Sequence, residues 1–365
     1  MQRRQIGLGI VGSGRIGGLR ARIASGHPAV RFIAVSDRYG PAAKSLAKTV
    51  GAQFSSTDNA EVIHHPEVDA VVVSTPEDSH MEPVRQALAR GIPVLCEKPI
   101  ALDVKEADRM LAQVRKYKGD LRIGYSRRFK TRYLRAREQV IQGRLGTIVG
   151  ACARLYNSRA QALAMLSRNA HATPVVDALT YYVDLMAWLI GDNPVVEVTA
   201  QGHGTVIRAA GYDADDVTWA LLRLADGAVV NLGVCYALPS RYPAVGHAAR
   251  VELLGTKGVL LIDDDHTDQV MHTEVGFPHV YVPEHAVETV FLGSSTPGDW
   301  ALGEFWGPIA NETRSWLDYL ATGKPCALAR PDDARATLAV TLAIEQSART
   351  GRTVRLRRRT SAASR

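Results

Sequence analysis

Between Ala172 and Gly191 the chain reads Ala172-Thr-Pro-Val-Val-Asp177-Ala-Leu-Thr-Tyr181-Tyr-Val-Asp184-Leu-Met-Ala-Trp188-Leu-Ile-Gly191. Two carboxylic acids and two adjacent phenols in one short segment are groups that can hold and move protons. Thr173 and Pro174 have the form of an N-cap and a first helical residue, which predicts a helix over about 174–190. On that helix Asp177, Tyr181, Asp184 and Trp188 recur at i, i+4, i+7 and i+11, forming one stripe. Val176, Leu179, Val183, Met186 and Ile190 lie elsewhere around the axis. Burying carboxylates without partners is costly, so a polar stripe on an apolar helix predicts that something meets it.

The N-terminal third supplies the frame for such chemistry. A short apolar strand, Gln5 to Val11, runs into Gly12-Ser-Gly14-Arg15-Ile16-Gly17, and Leu19 to Ser25 reads as a helix. Strand, glycine turn and helix come in the order of a dinucleotide site. Gly12 permits the tight turn, Gly14 admits a pyrophosphate to the backbone, and Gly17 allows helix and strand to pack closely. The helix N-terminus, with Arg15 and Ile16, supplies amide donors. A second strand, Arg31 to Ser36, ends in Asp37, twenty residues beyond Gly17, where an acid binds the ribose hydroxyls of NAD. Arg38 suits the 2′-phosphate of NADP, which Asp37 repels; NAD is the expected cofactor and NADP the alternative.

The alternation continues with a helix over 41–50, a strand over 70–74, a helix over 81–90 and a strand over 93–96, predicting a doubly wound parallel sheet with its ligand edge at the strand C-termini. Two motifs fall on that edge. One is Thr75-Pro76-Glu-Asp-Ser-His80 and the other Glu97-Lys98-Pro99.

Bulk properties exclude other classes. No apolar run approaches the roughly 18 residues that span a bilayer, so no membrane partner is expected. The net charge is +7, but six arginines sit in the last fourteen residues with no acid among them, leaving +1 for the rest. With no interleaved aromatics, that basic end reads as a solvated tail over 353–365, and no nucleic-acid partner is expected. The start, Met1-Gln-Arg-Arg4, faintly imitates a secretory signal, yet the apolar stretch after it is short and glycine-containing and reads as the first strand. Four scattered cysteines without C-x-x-C spacing argue against a zinc cage or a disulfide framework, and a reducing, cytoplasmic location is expected. Asp263-Asp-Asp265-His266-Thr-Asp268 lacks the glycine and terminal glutamate of a calcium loop and reads as an exposed turn after a strand over 258–262; no metal site is expected.

Taken together, these motifs resemble the Gfo/Idh/MocA oxidoreductases, the family of glucose-fructose oxidoreductase and inositol dehydrogenase. The resemblance is carried by the glycine fingerprint, the T-P-x-x-x-H segment ending at His80, and Glu97-Lys98-Pro99 after a strand. Arg128-Phe129, Gly143-Arg-Leu-Gly146, the Asp177 helix and Ser347-Ala-Arg-Thr-Gly351 add to it, over roughly residues 5–356. It implies an α/β fold: a Rossmann domain over 1–124, then a substrate-binding and oligomerisation domain over 125–352 built on a large, open, mainly antiparallel sheet. The strand-like segments 147–155, 195–201, 217–224, 229–236 and 250–254, with Asp226-Gly227 as a hairpin turn, agree. A homodimer or homotetramer is implied by the resemblance alone.

In the family the lysine of Glu-Lys-Pro lies beside the nicotinamide and the substrate hydroxyl; its match is Lys98. A cationic donor there stabilises developing alkoxide charge as the hydroxyl proton leaves. Glu97 orients Lys98 or is a loop acid. The family's helix pattern is D-x-G-x-H-x-x-D, with the histidine as acid/base. Here it reads Asp177-Ala-Leu-Thr-Tyr181-Tyr-Val-Asp184, so leucine replaces the glycine and Tyr181 the histidine. The expectation is that Tyr181 transfers the proton, its ordinary pKa of about 10 lowered by the Lys98 ammonium and the cofactor's positive ring. Asp177 then orients or charge-balances Lys98, and Asp184 binds a substrate hydroxyl or holds the helix. His171, Arg128 and Asn157 are further substrate-contact candidates. The expected activity is NAD(P)-dependent interconversion of a secondary alcohol and ketone on a sugar or cyclitol. The alternatives are a dihydrodiol-type dehydrogenase acting on a cyclic diol and a catalytically silent NAD-binding regulator.

Overall fold

The computed structural model describes residues 4–169, 172–244, 246–265, 269–278, 286–293 and 297–356. The chain divides into two compact units, Met1–Lys130 with Pro297–Leu338, and Thr131–Thr296 with Ala339–Arg365. The family resemblance implies one second domain over 125–352; in the structure Pro297–Leu338 belongs to the first unit. Trp316 and Leu317 from this stretch are fully buried in that unit's core.

The first unit is built on six strands: β1 (Ile6–Val11), β2 (Val30–Ser36), β3 (Phe54–Ser56), β4 (Ala70–Val73), β5 (Val94–Glu97) and β6 (Leu121–Gly124). They pair in parallel in the order β3-β2-β1-β4-β5-β6, so the connection reverses direction between β1 and β4. In a doubly wound sheet the ligand crevice opens at such a reversal, beyond the strand C-termini. The helices between the strands are α1 (Arg15–Ser25), α2 (Gly40–Val50), α3 (Asn59–Ile63), α4 (Met81–Ala89) and α5 (Val104–Tyr117). β1 and β4 are buried at every position, because helices cover both faces of a parallel sheet.

The second unit contains α6 (Thr131–Ile141), β7 (Ile148–Ser158), α7 (Arg159–Arg168), α8 (Thr180–Ile190), β8 (Val195–His203), α9 (Val206–Ala209), β9 (Val217–Leu224), β10 (Val229–Leu238), β11 (Ala248–Gly255), β12 (Val259–Asp264), β13 (Val270–Pro278) and β14 (Ala286–Phe291). Its main sheet runs β12-β11-β7-β10-β9-β8 and ends on a short strand from the chain's C-terminal part. The β7–β10 pair is parallel and its other neighbours are antiparallel. β9 alternates strictly: Thr218, Ala220, Leu222 and Leu224 point into the core while Trp219, Leu221 and Arg223 point out. That alternation is the mark of a sheet packed on one face only. Gly233 on β10 makes room for Trp219 to lie across the outer face, since a Cβ there would sit 2.3 Å from the indole ring. Asp226-Gly227 forms the β9–β10 turn as expected, with Gly227 at φ +101° and Ala228 N donating to Asp226 Oδ1 at 2.9 Å.

The first unit is completed by the hairpin β15 (Asp299–Ala301) and β16 (Glu304–Trp306) and by α10 (Pro308–Thr322). α11 (Pro331–Thr350) begins in the first unit and ends in the second, and β17 (Val354–Arg355) pairs antiparallel with β8. Thus the first residues of the expected basic tail are strand; residues 357–365 lie outside the described part, as does His171.

Two local expectations differ from the structure. The helix predicted over 174–190 begins as a π-helical turn, Val175–Leu179, and becomes α-helical only at Thr180. A 3.6-residue period carries no warning of such a widened turn, which in other proteins is frequent at functional sites. The segment at Asp263 is not an exposed turn throughout: β12 extends to Asp264, which is fully buried and accepts from Tyr133 Oη at 2.9 Å. Arg250 and Arg154 meet Asp265 and offset its charge; residues 266–268 lie outside the described part.

Candidate active site

In the first unit, three glycines fail or pass a simple space test. A Cβ on Gly12, at φ +96°, would lie 2.6 Å from Ser74 O, and one on Gly17 would lie 1.9 Å from Gly12 O. Both positions therefore require glycine. Gly14 instead faces open space within 4 Å and caps α1 without a side chain, and no acid occupies the first turn of that helix. The N-terminal amides and the positive end of the helix dipole thus face an exposed, anion-ready position next to Arg15. Ile16 packs with Leu19, Ile23, Phe305, Ile309 and Ala310.

Asp37 ties the glycine turn to the end of β2: its Oδ2 accepts from Ser13 N at 2.8 Å and its Oδ1 from Tyr39 N at 2.9 Å. Each carboxylate oxygen retains a second lone pair for a ribose hydroxyl. Arg38 is exposed at the strand end. Beyond β4, the Thr75 hydroxyl is buried with no hydrogen-bond partner, next to Pro76. A donor–acceptor left so at the crevice is a group that a ligand can satisfy. These residues fit a dinucleotide: amides after β1 for the pyrophosphate, a carboxylate after β2 for the ribose, and an orphaned hydroxyl after β4 on the other side of the glycine turn.

His80 is 2% exposed, and both ring nitrogens face backbone carbonyls: Nδ1 lies 3.0 Å from Pro99 O and Nε2 3.1 Å from Thr75 O. His80 therefore sits inside the ligand edge, with one ring nitrogen close to a backbone carbonyl of each of the two loops. Lys98 is half-buried and joined to Pro99 by a cis peptide bond. Glu97, at the end of β5, pairs with Arg20 on α1. Arg128 is 3% exposed, its guanidinium 3.6 Å from Asp333 and 3.5 Å from the Ala327 carbonyl.

In the second unit, the hydroxyl of Thr173 accepts from Val176 N at 3.2 Å and itself meets Glu345. Burial pushes the Glu345 carboxyl upward, an effect that the Thr173 hydrogen bond and Arg349 only partly offset. Asp177 lies on the π-helical turn and is half-buried, and its Oδ2 accepts from Tyr236 Oη at 2.7 Å. Tyr236 itself is fully buried on β10. Here, then, is one partner of the polar stripe. Tyr181, one turn on, is half-buried against the core; Tyr182 is fully buried, its ring 6.4 Å from that of His247; Asp184 is fully buried. The neighbouring phenols are thus distinguished by exposure.

Asn157, near the end of β7, is 1% exposed, and neither its amide nitrogen nor its carbonyl oxygen has a hydrogen-bond partner. It follows Tyr156, which pairs with Cys235, and precedes Ser158, which pairs with Leu238; Asn157 therefore lies, like Tyr236, in the stretch where the register of the two parallel strands shifts. One full amide left unsatisfied costs several kcal/mol, on the order of 1–3 for each group, unless a ligand meets it. Among the described residues no group of three or more His, Cys, Asp or Glu is arranged to hold a metal ion.

The buried Arg20 cluster was not legible from the sequence. A lone charge on the apolar face of α1, between Leu19 and Ala21, was the available signal.

Comparison with known proteins agrees with this geometry. Residues 6–125 match the oxidoreductase family with an NAD-binding Rossmann fold, and residues 133–261 match the Gfo/Idh/MocA C-terminal domain. The chain is 32% identical over 254 residues to the rhizopine catabolism protein MocA of Rhizobium meliloti, covering 69% of this chain and 76% of that protein. It is 28% identical over 267 residues to inositol 2-dehydrogenase of Rhizobium meliloti, covering 70% and 75%. Among solved structures, GenD2 from gentamicin A biosynthesis in complex with NAD superposes with a TM-score of 0.79 at 25% identity, covering 98% of each chain. Scyllo-inositol dehydrogenase from Lactobacillus casei with NAD(H) and scyllo-inositol gives a TM-score of 0.76 at 20% identity, covering 96% and 99%. The chain therefore belongs to the Gfo/Idh/MocA family and is an NAD-binding oxidoreductase.

Proposed function

We propose that this protein interconverts a secondary alcohol and a ketone on a cyclitol or sugar ring. The observation that carries this reading is the Asn157 amide, buried without partners on β7, the strand paired with the one whose Tyr236 holds Asp177. A polyhydroxylated ring offers hydroxyls that both donate and accept, so one substrate hydroxyl satisfies both halves of such an amide. The names of the relatives, several of them inositol dehydrogenases, support the same substrate class.

NAD, when bound, supplies the hydride acceptor. The chain's own groups manage the rest. Gly12, Gly14, Arg15, Ile16 and Gly17 hold the pyrophosphate, Asp37 and Arg38 face the adenosine ribose, and Thr75 and Pro76 line the crevice. His80 acts by holding the Thr75 and Pro99 carbonyls in place. Lys98 and Tyr181 handle the hydroxyl proton: the ammonium stabilises negative charge growing on oxygen, and Tyr181 takes the proton as phenolate in oxidation and returns it as phenol in reduction. Tyr236 fixes Asp177 within the second unit. We assign Asp184, which is fully buried, to holding the helix and Arg128, which is buried, to anchoring its loop.

The outer face of the second sheet exposes Val149, Trp219, Leu221, Leu254, Val259 and Leu261. A patch of this kind marks an association surface, and we assign it to a homodimer or homotetramer. No helix among the described residues is long and apolar enough to cross a membrane. All four cysteines are free, in keeping with a reducing, cytoplasmic setting.

The test is a panel of inositols, aldoses and cyclic diols, followed by the absorbance of reduced nicotinamide with NAD and with NADP. Turnover of inositols or sugars is the expected outcome. Turnover confined to cyclic diols, or NAD binding with no turnover of any of them, contradicts the proposal.

A further inference from the structure

Arg20 is fully buried on α1, the helix whose N-terminus is expected to receive the pyrophosphate. Its three nitrogens are divided among three side chains. Nε donates to Glu97 Oε1, Nη2 to Glu312 Oε2 at 2.6 Å, and Nη1 to Thr313 Oγ1 at 2.9 Å. Glu312 and Thr313, both on α10, are fully buried as well. The Thr313 hydroxyl spends its own proton on Ile309 O at 2.7 Å, so its lone pairs face the guanidinium. Space is reserved for this arrangement: a Cβ on Gly124 would lie 2.8 Å from Arg20 Nη2 and 3.1 Å from Glu97 Oε2. Burial by itself lowers the Arg20 pKa, but Glu97 and Glu312 outweigh it, and the guanidinium is held firmly protonated.

The chain's next residue after Glu97 is Lys98, so whatever fixes the Glu97 carboxylate also fixes the backbone that carries Lys98. The far side of the same segment is fixed too, because the Pro99 carbonyl faces His80 Nδ1. A planar fork with fixed donor directions determines where its carboxylate sits, which a flexible ammonium does not.

We propose that Arg20 is a positioning residue: by fixing Glu97 to α1 it sets the placement of Lys98, so that the cofactor-binding helix and the proton-handling lysine are located by one guanidinium. The proposal rests on the role given above to Lys98.

The experiment compares Arg20→Lys and Thr313→Val with the unaltered protein, measuring thermal unfolding, NADH affinity by fluorescence, kcat and KM. It also follows the rate at which an amine-acylating reagent labels Lys98 in the cofactor-free protein, read by peptide mass. Arg20→Lys keeps the charge and loses the fork. Its Lys98 labelling rate is expected to change by about threefold or more, the equivalent of half a pKa unit. NADH affinity is expected to fall, and kcat to fall by about 100-fold, the scale of a misplacement near 1 Å. Thr313→Val should shift the same readouts in the same direction by less, and decides the matter if Arg20→Lys does not fold. A folded variant with unaltered Lys98 labelling overturns the proposal, as does a loss of activity that only tracks the unfolded fraction. Retained turnover in Lys98→Ala would instead overturn the role of Lys98, while the labelling rates still report on Arg20.

Discussion

The phenol of Tyr236 donates to Asp177 Oδ2 at 2.7 Å, joining a fully buried strand position on β10 to the π-helical turn that precedes α8. The acid is thereby held from the sheet side, and its orientation does not depend on its own helix alone. In Tyr236→Phe the carboxylate loses this donor. A hydrogen bond to a charged group contributes about 1.5–3 kcal/mol, so denaturant unfolding should show a loss in that range. Turnover should fall as well, with NADH affinity unchanged, because the residues assigned to the dinucleotide lie in the other unit.

Asn157 should behave in the opposite way with respect to stability. Its amide is buried without partners, so Asn157→Leu, close in volume, removes two unsatisfied groups and should raise stability by about 1–2 kcal/mol. The same change should raise KM for the polyol by about tenfold or more, the equivalent of one lost hydrogen bond. Stability and KM measured on one preparation check both halves.

Acid sensitivity has an identifiable source in Asp216, which is 2% exposed. Burial alone raises its pKa, but bonds from Ile207 N, Thr205 N, the Thr205 hydroxyl and Val206 N prevail and lower it. A carboxyl whose folded pKa lies below its unfolded value of about 4 contributes fully above that value. The contribution is lost as pH falls through the lower, folded value. Asp216→Asn sets an amide against backbone N–H groups and should cost about 1.5–3 kcal/mol near neutral pH. Its stability should also fall less steeply with acid than that of the unaltered protein, which denaturation midpoints across the acidic range will show.

Much of this was readable from residue order, and the reasons are physical. The strand–glycine–helix unit, Asp37 and the alternating strands of the second sheet declare themselves through neighbours in sequence: φ-positive turns, period-two burial and polar stripes. The Arg20 cluster does not, because its partners stand 77, 292 and 293 residues away and no local pattern links them. The π-turn at Asp177 escapes a reading that assumes one helical period. Asn157 looks ordinary in sequence; only the sheet, by burying its amide without partners, singles it out. Asp264 is similar, an acid in an acidic run whose burial depends on Tyr133, far off in the chain.

The central claim is the proposal that Tyr181 moves the substrate proton. Tyr181→Phe removes one oxygen from a half-buried ring and leaves its packing intact. The most direct measurement is kcat across a pH range for Tyr181→Phe beside the unaltered protein, with NADH affinity determined on both. The account predicts a fall in kcat of about 100- to 10,000-fold with NADH affinity retained. Undiminished turnover in Tyr181→Phe, with an unaltered pH profile, would contradict it.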